Sequence, residues 1–121
     1  AVIYSSDSSE WEVACRSGEY TASRIDDTKY DVYEIFARFG KWSLVAYRKK
    51  NSMRVPFPEE ARPEVDKNDF SVSVYGEKVK FDYVYIMVCS RAISRCSEFL
   101  TAAAAHSCLL SLSTSIPARA I

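Results

Sequence analysis

The stretch Val32-Tyr33-Glu34-Ile35-Phe36-Ala37-Arg38-Phe39-Gly40-Lys41-Trp42-Ser43-Leu44-Val45-Ala46-Tyr47 decides the reading of the fold, because two strand-like runs meet at one of only three glycines in the chain. A glycine at the centre of a two-residue loop supplies the positive φ that right-twisted strands need. With Gly40-Lys41 as the loop, Phe39 faces Trp42, Ala37 faces Leu44 and Ile35 faces Ala46, so one face is wholly apolar. The other face carries Arg38 with Ser43, Phe36 with Val45, and Glu34 with Tyr47.

The same logic extends outward in both directions. Gly76-Glu77 would pair Val74 with Val79, Val72 with Phe81 and Phe70 with Tyr83, while Ser71, Ser73, Lys80 and Asp82 fall on the far face. Ser17-Gly18 would join a run from Trp11 to Arg16 with one from Glu19 to Asp26. These three hairpins predict six antiparallel strands in a sandwich or curved sheet.

Between the second and third hairpins, residues 51–69 hold three of the four prolines, Pro56, Pro58 and Pro63, among several acidic residues. Proline removes ladder donors and restricts the residue before it, so this segment predicts a long surface loop. Val55 and Phe57 would staple that loop to the core, or offer a polyproline-like stretch to a partner.

From Phe99 to Ala118 there is no Asp, Glu, Lys or Arg, and the alanines at 102–105 with Leu109, Leu110 and Leu112 favour helix. Ser97 suits an N-cap, Glu98 suits the first turn and Pro117 marks a stop, so a C-terminal helix over 97–114 is expected to pack on the sheet. Its many Ser and Thr residues argue against a membrane span. The expected architecture is therefore a single α+β domain over 1–121, mainly antiparallel, closed by this helix.

Sixteen basic and sixteen acidic side chains balance, which removes the electrostatic reason to expect nucleic acid as a partner. Four cysteines, Cys15, Cys89, Cys96 and Cys108, without Cys-x-x-Cys and with a single histidine, do not suggest a metal site. Links of Cys89 to Cys96 and Cys15 to Cys108 are one of three possible connectivities, and they would place the protein in an oxidising compartment. The expectation that follows is a secreted, disulfide-bonded protein.

His106, the only imidazole, is two positions from Cys108 on the expected helix, a spacing that points the side chains apart, and no phosphate-loop or hydrolase motif occurs. An acid–base constellation could be drawn only from Glu34, Arg38 and Tyr47. The same face reads more simply as a recognition patch, with Phe36 and Val45 as an apolar centre surrounded by Tyr47, Arg38 and Lys49, and Phe57 nearby in the loop. If a helix covers that face, Phe36 and Val45 become a second core layer instead.

The run Asp31-Val32-Tyr33-Glu34-Ile35-Phe36 resembles a strand of the small β-sandwich necrotrophic toxins secreted by some plant-pathogenic fungi. It covers six residues and carries over no site. The sequence thus predicts a secreted, non-enzymatic effector or toxin-like module that binds a protein partner, needs no cofactor, and is a monomer or an edge-paired dimer. A small hydrolase or ribonuclease using Glu34, and an intracellular inhibitor or immunity-type protein with reduced thiols, are the alternatives.

Overall fold

The computed structural model describes residues 1–5, 11–89 and 108–115. Among them a mixed six-stranded sheet runs in the order β4-β3-β2-β1-β7-β8, with β1 (Val2–Ser5), β2 (Val32–Arg38), β3 (Lys41–Arg48), β4 (Val55–Pro56), β7 (Tyr83–Cys89) and β8 (Cys108–Ser115). A separate hairpin holds β5 (Ser71–Val74) and β6 (Glu77–Lys80), and one helix, α1 (Trp11–Ser23), links β1 to β2.

β1 lies inside the sheet and is parallel to both neighbours, β2 and β7; β7 is in turn parallel to β8. A central parallel strand is covered on both faces, so it reads as an unbroken apolar run. Val2, Ile3 and Tyr4 are accordingly all buried. Ile3 joins Tyr33, Ile35, Ala37, Trp42, Leu44, Val84 and Ile86 on one face, beneath Val65, Phe70, Val72, Val74 and Phe81 from the 65–81 segment. On the opposite face Val2, Tyr4, Val32, Val45 and Ala46 lie under α1, with Ala22, Cys15 and Ile25. The sheet is therefore the middle of three layers.

The expectation of a mainly antiparallel α+β domain closed by a C-terminal helix is corrected at three places. Residues 11–23, expected as the first strand, turn and most of the second strand of a hairpin, are helical, with Gly18 in the middle of the helix. Ala14, Gly18 and Ala22 recur every four residues on the buried side of α1. A Cβ at Gly18 would lie 1.9 Å from Cδ1 of Tyr4, so this glycine serves close approach of helix to strand and not a turn. Residues 108–115, expected at the end of a helix, form strand β8, while residues 97–107 lie outside the described set. The strand Val2–Ser5 has no counterpart in the sequence-based reading.

The two remaining glycines do sit in hairpin turns, but as the second central residue. Phe39 and Gly40 have φ of 52° and 77°, and Tyr75 and Gly76 have φ of 49° and 81°, the pattern of a type I′ turn. Ala37 therefore faces Trp42 and Ile35 faces Leu44, and Val72 faces Val79 where Phe81 was expected. Each pairing slides by two residues, which preserves side-chain parity and leaves the apolar faces nearly intact. A bulge then breaks the β2–β3 ladder between Glu34 and Ile35, after which Glu34 faces Ala46 and Tyr33 faces Tyr47. Val45 and Ala46 consequently both join the core under α1, and Tyr47 packs on the other side.

Within 51–69 the chain follows the outer edge of β3. Phe57 N–H donates to Val45 O at 2.8 Å, Leu44 N–H to Pro63 O at 2.8 Å, and Val65 N–H to Trp42 O at 2.9 Å. A single 3-10 turn, Glu59–Ala61, lies between these contacts.

Candidate functional site

Parallel strands with a helical crossover place a ligand site by topology. The chain leaves β1 through α1 toward β2 on one side, while β7 and β8 extend the sheet on the other, so the carboxyl ends of β1 and β7 form a switch point. In register, Ser5 lies opposite Ala37 on β2 and Val88 on β7. Arg38 ends β2 on the same edge, and α1 runs back from its first turn, where Glu12 is exposed. The first-turn N–H groups and helix dipole favour negative charge, while Glu12 adds a carboxylate beside them.

A second polar constellation lies toward the opposite end of the strands, where Glu34 pairs with Val2. The Glu34 side chain is only 3% exposed and is gripped by Arg54, with Nε to Oε2 at 2.8 Å and Nη2 to Oε1 at 3.2 Å. The Tyr4 hydroxyl donates to Glu34 Oε1 at 3.4 Å. Glu19 of α1 approaches the same guanidinium, at 4.0 Å from Nη2. Burial pushes the Tyr4 hydroxyl far above its ordinary range, and the Glu34 charge adds to that. Glu34 likewise holds Arg54 above its already high value. A two-pronged carboxylate–guanidinium pair offsets the desolvation of a buried acid, and removing one partner would strand a buried charge.

The structure divides the residues that the sequence had grouped. Glu34 meets Arg54 and Tyr4, not Arg38 or Tyr47. Phe36 is half-buried with its ring 5.8 Å from that of Tyr4, and Val45 is buried beneath α1. Tyr47 faces the other layer, stacked on Tyr33 at 6.1 Å and near Phe57 at 5.8 Å. Lys49 sits 3.7 Å from Asp31 and over the Tyr33 ring, while the Arg38 guanidinium lies 4.8 Å over the ring of Phe39. Neither the acid–base set nor the recognition patch is gathered on one surface.

Cys15 is a free, half-buried thiol, pushed up by burial and by Glu19. That corrects the expected link to Cys108, while the expected link of Cys89 to Cys96 falls on a residue outside the described set. Among the described residues no group of three or more His, Cys, Asp or Glu side chains could hold a metal ion, and no helix is long and apolar enough to cross a membrane.

Tyr4, Glu12 and Glu19 were not singled out from sequence. The available signal was the apolar run Val2-Ile3-Tyr4, a Ser- and Asp-rich stretch through Ser9, and then small residues every four positions at Ala14, Gly18 and Ala22. That order is a strand, a break and a tightly packed helix.

No family model matches the chain, and no solved structure matches it. It is similar to several curated bacterial proteins named D-alanine–D-alanine ligase. It is 33% identical to the one from Bacteroides thetaiotaomicron over 88 residues, which make up 73% of this chain and 24% of the ligase. Identity is 35% over 85 residues to the ligase from Flavobacterium johnsoniae, 70% of this chain and 23% of the relative. For Phocaeicola vulgatus it is 32% over 88 residues, again 73% and 24%. The chain thus spans about a quarter of the length of the curated relatives it matches. These relatives are enzymes, and they overturn the expectation of a secreted, non-enzymatic effector or toxin, along with its extracellular, disulfide-bonded setting. The six residues that resemble a toxin strand span Asp31 and most of β2, and the likeness that extends over most of the chain is to ligases.

Proposed function

We propose that this chain is the sheet-and-helix portion of a ligase that joins D-alanine to D-alanine, and that the carboxyl ends of β1 and β7 with the first turn of α1 contribute to holding one amino-acid substrate. The observation that carries this reading is the 33% identity to such a ligase across 88 residues. Topology supports it, because the switch point beside Ser5 is where folds of this kind seat small ligands.

D-alanine carries its carboxylate and its ammonium on the same carbon, and the edge offers a counterpart for each. The helix start suits the carboxylate. Glu12, exposed in that same turn, suits the ammonium.

The test is a chimera in which the matching segment of the Bacteroides thetaiotaomicron ligase is replaced by this chain's sequence. Formation of D-alanyl-D-alanine supports the reading. A folded chimera without product, together with an amide NMR spectrum of the 121-residue chain that D-alanine leaves unchanged, removes it. Within an active chimera, Glu12→Gln is expected to raise KM for D-alanine about tenfold, the equivalent of about 1.4 kcal/mol, while L-alanine stays unreactive.

A further inference from the structure

Three side chains from three other segments gather at the buried carboxylate of Glu34, Tyr4 and Arg54 directly and Glu19 through Arg54, and their placement bears on the opposite end of the sheet. Tyr4 belongs to β1, one residue before its last. Its ring fills the notch that Gly18 leaves in α1, and its hydroxyl reaches Glu34 on β2. Arg54, in the connection between β3 and β4, closes on Glu34 and extends toward Glu19 of α1. Helix, central strand and neighbouring strand are thereby tied at one point.

We propose that the Tyr4–Glu34–Arg54–Glu19 cluster is a positioning clamp that sets the height and rotation of α1 on β1, and so aims the first turn of the helix at the substrate edge. This rests on the ligase reading given above. An α-helix rises 1.5 Å per residue, so Glu19 and the first turn are on the order of 10 Å apart on one rigid rod. A rotation allowed at Glu19 is transmitted to Glu12. The clamp is polar where an apolar core would serve, and buried ion pairs of this kind contribute little net stability while fixing geometry. Positioning errors of an ångström cost binding and rate far from where they arise.

Arg54 is the member to change, since its side chain is 41% exposed and its loss need not open the core. In the active chimera, Arg54→Met together with Glu34→Gln, which leaves no buried charge unpaired, is expected to raise KM for D-alanine five- to tenfold with kcat within twofold. Arg54→Lys alone keeps the charge without the two-pronged grip and is expected to fall between. A purely structural role would lower the folded fraction, and with it apparent kcat, at unchanged KM; that result overturns the clamp while leaving the ligase reading intact. If the parent chimera makes no product, the ligase reading fails separately, and the clamp is read in the 121-residue chain by amide NMR. There Arg54→Met with Glu34→Gln is expected to shift the amides of residues 11–14. Shifts confined to the surroundings of residues 19, 34 and 54 overturn it.

Discussion

Gly18 has no side chain because Tyr4 occupies the space. With Cβ placed 1.9 Å from Cδ1 and 2.3 Å from Cγ of a fully buried ring, Gly18→Ala cannot be absorbed by a side-chain rotation and must lift the helix or expel the tyrosine. The expected cost is about 3 kcal/mol in urea unfolding, although alanine is the better helix former. Combining it with Tyr4→Val is expected to cost less than the sum of the two single changes, because the ring that clashes is gone. The turn glycines behave differently. At Gly40 a Cβ would meet nothing within 4 Å but φ is +77°, so Gly40→Ala is expected to cost only about 1 kcal/mol, all of it conformational.

At the level of elements, what could be read from sequence divides along a physical line. The β2–β3 and β5–β6 pairs were legible because alternation and a glycine turn are local signals, and a slide of two residues conserves which side chains face inward. α1 was not, because a mid-helix glycine is unfavourable in isolation and is repaid only by contact with Tyr4, a partner fourteen residues away. β1 was missed because a four-residue strand without its own turn is defined by long-range pairing to β2 and β7. The candidate site was hidden for the same reason: Ser5, Ala37 and Val88 come together only once the parallel topology exists. The β5–β6 hairpin carries its own pH dependence. Lys78, and the Ser71 hydroxyl donating at 2.6 Å, hold the Asp69 carboxyl down to about 2, below the usual 3.8. The stabilisation is then fully present above about pH 4 and disappears as pH falls toward 2. Lys78→Met is expected to flatten the fall in stability between pH 4 and 2, measured by urea unfolding across that range.

Across the whole molecule, β2 contributes to both cores: Tyr33, Ile35 and Ala37 to one, Val32 to the other, and half-buried Phe36 packs against the latter. Neither covering layer can leave without exposing a strand that the other needs, so the molecule is expected to unfold in one step. In a Trp11→Phe variant, where Trp42 is the remaining tryptophan, urea transitions followed by Trp42 emission and by far-UV circular dichroism should superimpose. Separate midpoints would show that the 65–81 layer detaches on its own. The central place of β1 also has a consequence for how a ribosome delivers this fold. Val2–Ser5 leaves the exit tunnel well before either flanking strand, and its second flank is supplied only when Tyr83–Cys89 follows. For most of the time that this stretch is being synthesised, a strand whose Val2, Ile3 and Tyr4 are all buried in the finished fold has an unpaired edge, so nascent chains halted before residue 89 should be those that chaperones hold longest.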